Sequence, residues 1–348
     1  MIPPPSALYS ARQEWADVVP LPQYEKANPL APILYSEECL SFSGVDRHTR
    51  AKNPPDRDAT DYLRAVVKAG EKSERVLQLT EHVIRLNPAH YSAWQYRYET
   101  VVEIQWPLDA EIALMDELAD KYLKTYQVWH HRRLILTLSK KAREELAFVA
   151  NILQKDEKNY HTWAHRQWVL AFYNDDALWA GELDFVDTMI NKDVRNNSVW
   201  HHRFFVVFQS GVRDGEEDRE RVVRRELIYT KQNISLAPNN ASAWNYLRGV
   251  LEFNKLPMST VATFVKPYTV PLPATLVDLV DVENPPPGKG AELPCVAAIE
   301  FQADVYEEEA RSASVDKAVE LWKSLAEEHD TIRKKYWEYR IQQALLSV

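Results

Sequence analysis

The sequence predicts an all-α fold: an α-α superhelix, or solenoid of helical hairpins. Three observations carry that expectation. Tryptophan recurs at Trp94, Trp129, Trp163, Trp200 and Trp244, at intervals of 35, 34, 37 and 44 residues, with Trp337 a further 93 on. An interval of that size is one helix–turn–helix unit. Nine of the 20 prolines lie in residues 1–55 and nine in 238–294, so only Pro88 and Pro107 interrupt the stretch that carries the repeats. Eight glycines in 348 residues is far below the usual share of about 7%, which suits a run of helices.

The elements follow in chain order. Residues 1–55 form an irregular, Pro-rich N-terminal extension. Residues 56–348 form the hairpin-repeat domain, in which each tryptophan sits in the same small frame. The frames read NPAHYSAWQYR, LKTYQVWHHR, EKNYHTWAHR, VRNNSVWHHR, PNNASAWNYLR and KKYWEYR. Ahead of each frame comes an amphipathic stretch. In AREELAFVANILQKDEKNY, Leu146, Val149, Ile152 and Leu153 fall at helical spacing. The stretch ends in an Asn-, Lys- or Pro-containing cluster that breaks the helix. A second helix then starts near the aromatic frame, where Tyr126, Trp129, Arg132 or Arg133, and Leu136 share one side. Neither helix buries its apolar face alone, so neighbouring hairpins must stack into a curved array with a concave face. A Pro-rich loop insertion at about 256–294 interrupts the domain.

Composition removes several classes. The net charge is −9, which disfavours nucleic-acid or anionic-membrane binding. No apolar run approaches the roughly 18 residues of a membrane span. The start, MIPPPSALYSAR, lacks the basic and apolar regions of a secretory leader. Two cysteines, Cys39 and Cys295, cannot build a disulfide framework, and a reduced, cytoplasmic chain is expected. There is no GxGxxG, GxxxxGK[ST] or GxSxG, so those nucleotide-binding and serine-nucleophile motifs are absent.

The repeated unit, aromatic-x-x-Trp-x-x-Arg, reads as scaffold. The indole fills the inter-hairpin core and its N–H needs an acceptor. The arginine can pair with a carboxylate of a neighbouring hairpin. The fifth frame departs, with Leu247 at the arginine position and Arg248 one later. His161 and His165, four apart, invite a metal reading, with His130, His131, His201 and His202 as further donors. No HExxH or cysteine ligand accompanies them, and they track the repeat, so no metal ligand is assigned. The run Glu307–Glu309 reads as a solvated helix face. What varies between repeats is the start of each second helix. Lys124-Thr125-Tyr126-Gln127 and Lys158-Asn159-Tyr160-His161 place polar and cationic groups beside helix N–H groups, an arrangement suited to an anion.

At these residues the chain resembles the protein prenyltransferase α-subunit family, in the branch shared by farnesyltransferase and type I geranylgeranyltransferase. The segments Tyr126–Arg133 and Asn159–Trp168 are similar to the family's repeats. Glu14–Pro20 and Ile33–Ser36 are similar to the lead-in that the Rab-type geranylgeranyltransferase α subunit lacks in general. The resemblance implies a crescent of hairpins around a β subunit that holds the catalytic zinc and most of the isoprenoid pocket. Magnesium accompanies the diphosphate in the farnesyl enzyme. The heterodimer would transfer a prenyl group from its diphosphate to the cysteine of a C-terminal CaaX motif, as on small GTPases. Carried over, Lys124 and Tyr126 attend the diphosphate and act catalytically. Gln127 binds the CaaX carboxylate, and Asn159, Tyr160 and His161 line the same mouth. Thr125 stands where the family often has Asn. Two other readings are a Rab-type α subunit and a non-catalytic TPR-like scaffold for peptides. TPR units need small residues and glycine at set points that these frames do not supply.

Overall fold

The computed structural model describes residues 8–22, 54–211, 218–272, 281–309 and 312–346. Among the described residues there are helices and turns but no strand, as the repeat pattern predicts. The chain divides into two compact units, Met1–Tyr173 and Asn174–Val348.

The first unit opens with two 3-10 turns, Tyr9–Ala11 and Gln13–Trp15. Its helices are α1 (Pro54–Ala69), α2 (Glu74–Leu86), α3 (Tyr91–Glu103), α4 (Leu108–Lys121), α5 (Tyr126–Ser139), α6 (Ala142–Lys155) and α7 (Tyr160–Tyr173). Helix α2 pairs with α3, α4 with α5 and α6 with α7, while α3, α5 and α7 lie side by side as second helices. The lead-in is not loose. Tyr9 and Trp15 are buried against Tyr62, with ring centroids 5.9 and 5.7 Å away. Arg75 donates to both carboxylate oxygens of Asp17 at 2.8 Å. Residues 1–7 and 23–53 of the predicted extension, Ile33–Ser36 and Cys39 among them, lie outside the described residues.

The second unit contains α8 (Asp176–Trp179), α9 (Glu182–Lys192), α10 (Asn197–Phe204), α11 (Arg219–Leu236) and α12 (Ala241–Phe253). It continues with α13 (Ala262–Val265), α14 (Val296–Glu308), α15 (Ser312–Ser324) and α16 (Lys334–Leu346). Helices α10 and α15 each run on into a π-helical turn, Phe205–Gln209 and Leu325–His329. The segment predicted as a Pro-rich loop is more ordered than that reading. Met258–Tyr268 forms short helical turns, because Phe264 and Tyr268 bury their rings beside Trp244, centroids 6.2 and 6.0 Å apart. Its second part, 281–294, is irregular. Cys295 is buried, and its thiol donates to the Pro238 carbonyl at 3.0 Å.

One turn recurs in all five repeats. The indole N–H donates to a carbonyl six residues earlier: Trp94 to Pro88, Trp129 to Leu123, Trp163 to Glu157, Trp200 to Val194 and Trp244 to Pro238, all at 2.8–2.9 Å. Each ring therefore plugs the core while its polar edge satisfies the bend between the two helices.

The arginines clamp hairpins together. Arg97 on α3 forks onto Glu111 of α4 through two 2.7 Å bonds and also donates to the Leu77 carbonyl of α2 at 2.7 Å. Arg132 on α5 forks onto Glu145 of α6 at 2.6 Å and meets Asp116 of α4 at 2.8 Å. In the second unit Arg203 on α10 joins Glu226 of α11 at 2.7 and 3.0 Å, and Asp187 of α9 at 2.7 Å. The repeat histidines complete the clamps: His131 pairs with Glu111, His165 with Glu145 and His202 with Glu182, at 2.7, 2.6 and 2.5 Å. Tyr246 takes the histidine's place in the fifth repeat, donating to Glu226 at 2.8 Å.

Burial alone would raise the carboxyls of Glu111 and Glu145. The cationic and hydrogen-bonding partners outweigh it and bring each down to about 2. Burial holds the His131 and His165 imidazoles below their ordinary value, against the pull of the paired carboxylates. These are neutral rings bonded to ionised glutamates.

Candidate functional site

Helix starts are where backbone N–H groups lack partners, and the repeat treats them unequally. In α3 the N-cap His90 accepts from the Ala93 N–H at 3.2 Å. Asn159 accepts from Thr162 at 3.0 Å, Asn196 from Ser198 at 3.1 Å and Asn240 from Ser242 at 3.2 Å. Helix α5 differs: its N-cap, Thr125, makes no side-chain cap bond. Its first N–H groups are left for another acceptor, and the macrodipole there favours an anion.

Around that open start stand most of the residues singled out from the sequence. Lys124 is exposed and has no ion-pair partner among the described residues. Tyr126, the first residue of α5, is 67% exposed, although the spacing predicts it on the buried face with Trp129. The face itself holds, with Trp129, Arg132 and Leu136 buried. Tyr126 escapes because the helix begins at that residue and its ring leaves at the rim. Gln127, next along, is partly buried, with its amide unbonded among the described residues.

The neighbouring repeat closes the cluster. The His161 ring lies edge-on to Tyr126, centroids 4.4 Å apart at 88°, and to Tyr160 at 5.5 Å and 77°. Tyr160 is 70% exposed at the same register of α7. Burial lowers the His161 pKa, an interaction with the Lys124 main chain opposes that, and the nearby charge of Arg133 lowers it again. Asn159 stands apart. It is buried, and its amide both caps Thr162 and donates to Asp156 at 3.2 Å, so it shapes the turn and is not turned toward solvent.

Tyr91 was not among the residues the sequence singled out. It opens α3 at the same register, 74% exposed. The signal was available, since Tyr91, Tyr126 and Tyr160 each stand three residues before a repeat tryptophan. What sets it apart is the turn before it, where Ala89 stands in the place of Lys124 and Lys158.

Among the described residues no group of three histidine, cysteine or acidic side chains could hold a metal ion. His165, one half of the sequence's metal candidate, is fully buried against Glu145. No helix among the described residues is long and apolar enough to cross a membrane.

The chain is similar to known proteins in sequence and in fold. The sequence profile described as protein prenyltransferase alpha subunit repeat matches residues 73–103, 108–139, 142–173, 179–210 and 223–254, which are the five hairpins α2–α3, α4–α5, α6–α7, α9–α10 and α11–α12 with their flanking residues. The chain is 34% identical over 339 residues to the protein farnesyltransferase/geranylgeranyltransferase type-1 subunit alpha of Dictyostelium discoideum, covering 95% of this chain and 92% of that one. It is 44% identical over 239 residues to the protein of that name from Schizosaccharomyces pombe, covering 69% and 73%. Among solved structures, it is similar to Candida albicans protein geranylgeranyltransferase-I complexed with GGPP. The TM-score is 0.72 at 26% identity, over 96% of this chain and 99% of that one.

Proposed function

Because the chain belongs to the protein prenyltransferase α-subunit family, we propose that it is the α half of a heterodimeric protein prenyltransferase. With a β subunit it transfers farnesyl, or geranylgeranyl, from the prenyl diphosphate to the cysteine of a C-terminal CaaX motif, as on small GTPases. The observation that supports this most is the start of α5. An uncapped helix N-terminus with Lys124, Tyr126 and Gln127 around it meets His161 and Tyr160 of the next repeat.

The chemistry divides between the two subunits. As the cysteine sulfur bonds to C1 of the prenyl chain, the C1–oxygen bond breaks and its electron pair leaves with the diphosphate. Charge grows on the departing oxygens. Lys124 stabilises it most at that moment, because a fixed cation acts on charge as it develops. The α5 N–H groups add to that field, and Tyr126 offers a phenol O–H to a diphosphate oxygen. Gln127 holds the terminal carboxylate of the CaaX peptide through its amide N–H. Tyr160 and His161 wall the mouth, and Asn159 fixes the turn beneath them.

In this reading zinc, which favours the thiolate form of the cysteine, would be held by the β subunit. Magnesium would come with the diphosphate in the farnesyl reaction. A cytoplasmic location fits such substrates.

Co-expression with a farnesyltransferase β subunit tests the proposal. Transfer of labelled farnesyl to a CaaX peptide is expected from the mixture and from neither chain alone. A stable complex that binds CaaX peptide but never transfers a prenyl group would leave only a scaffold role.

A further inference from the structure

Arg133 sits one position beyond the clamp arginine Arg132 and does something else. Its Nη2 donates to the Ala164 carbonyl of α7 at 3.2 Å, and its guanidinium lies 5.5 Å from the Trp168 ring centre. Its buried Nε has no hydrogen-bond partner, and no carboxylate among the described residues pairs with it. Arg132, by contrast, is neutralised by Glu145 and Asp116. A partly buried, uncompensated guanidinium is an unfavourable thing to keep. This one lies between α5 and α7, the two helices whose first residues form the candidate site.

We propose that Arg133 is a positioning residue for the anionic substrate, a permanent cation behind the Tyr126–His161–Tyr160 cluster whose field draws the diphosphate toward Lys124. The inference rests on the prenyltransferase reading above. An arginine cannot lose its proton at any working pH, so its charge is fixed where that of His161 is conditional.

The surroundings of His161 sharpen the idea. From α5 and the turn before it come Tyr126, the Lys124 main chain and Arg133. Its own helix contributes Tyr160. Among these, the Arg133 charge is the one that opposes protonation of His161. Burial does most to keep His161 neutral, and the positive charge on Arg133 adds to it. Removing the arginine's charge leaves burial as the remaining opposition and makes the histidine easier to protonate.

The experiment uses the co-expressed heterodimer and measures farnesyl diphosphate affinity by tryptophan fluorescence, at about pH 8 and about pH 6, on either side of the histidine range. Arg133→Gln keeps a donor for the Ala164 carbonyl but removes the charge. Its affinity is expected to fall roughly ten-fold at the higher pH. Relative to wild type it should recover much of that loss at the lower pH, as His161 becomes charged. Adding His161→Asn to Arg133→Gln should abolish the recovery. Arg133→Lys should bind within about two-fold of wild type, since it keeps the charge.

Wild-type affinity in Arg133→Gln overturns the proposal, as does a loss that no pH restores. A ten-fold loss in Arg133→Lys also overturns it, because only shape would then matter, and this arm decides the question if Arg133→Gln fails to assemble. A wild-type heterodimer that does not bind farnesyl diphosphate at all sinks the prenyltransferase reading itself, a different result from unchanged binding in the variants.

Discussion

Lys124 owes its suitability to what its neighbours lack. Thr125 does not cap α5, and no carboxylate among the described residues holds the ammonium, so both are available to an incoming anion. A charge-assisted contact of about 1.5–3 kcal/mol corresponds to about 10- to 150-fold in rate. Lys124→Ala should slow single-turnover prenyl transfer by about that factor while the heterodimer still assembles. An unchanged rate would remove Lys124 from the chemistry. Much of this cluster could be read from sequence, because the frame around each tryptophan shows which residues open a helix. The role of Asn159 could not. Whether an asparagine at a turn faces solvent or folds back as a cap depends on backbone geometry, and here Thr162 receives it. Arg132 and Arg133 were equally opaque, since adjacent residues on a helix differ by about 100° in direction and one of them finds Glu145 while the other does not.

Between helices, each clamp glutamate serves two partners at once. Glu145 is 2% exposed and receives Arg132 and His165. Glu145→Ala leaves a buried guanidinium without its main counter-ion, which costs about 3–5 kcal/mol. The lower end is expected because Arg132 retains Asp116. Glu145→Gln should cost less, since the amide still offers one acceptor. Urea denaturation of the heterodimer would rank the two, and equal stability would show that the pairing contributes little. That an arginine pairs with a neighbouring hairpin is legible in the motif, but its partner is less so, because α6 opens with Glu144 and Glu145 together. A fixed interval resolves it. Glu111, Glu145, Glu182 and Glu226 each stand 20 residues before the His131, His165, His202 or Tyr246 they bond. For Glu111, Glu145 and Glu182 that interval reaches from the first turn of one helix, past the bend, to the second turn of the next; Glu226 sits deeper, because α11 begins earlier.

For the molecule as a whole, these pairs set how stability depends on pH. His131 and His165 have folded pKa values below the ordinary 6.5. The unfolded chain therefore binds protons that the folded chain refuses, and stability falls as pH drops below about 6.5. Glu111 and Glu145 act in the same direction lower down. Their carboxyls titrate near 2 when folded against an ordinary 4.5, so the stability they contribute above about 4.5 is lost between there and about 2. Melting temperatures should be level above neutrality, decline through pH 6 and fall steeply below 4.5. A flat profile down to pH 5 would mean the histidines are protonated in the folded state. The helical class and the repeat period were legible at this scale because tryptophan spacing survives any local ambiguity. The packed turns at Met258–Tyr268 were not, because prolines signal a break in a helix without revealing that Phe264 and Tyr268 bury themselves beside Trp244.

The clamps have a direction, and that bears on ancestry. Arg97, Arg132 and Arg203 each grip their own hairpin's first helix and the first helix of the next. After the fifth repeat Arg248, displaced by one position, pairs with Asp304 instead. A duplication or deletion that cuts between equivalent points of two repeats leaves every arginine with an acid to hold. A cut at unequal points strands a buried charge. Such an array is therefore expected to change length in whole repeats, and the fifth frame, with Leu247 in the arginine's old position and Arg248 one later, is where the clamp pattern departs.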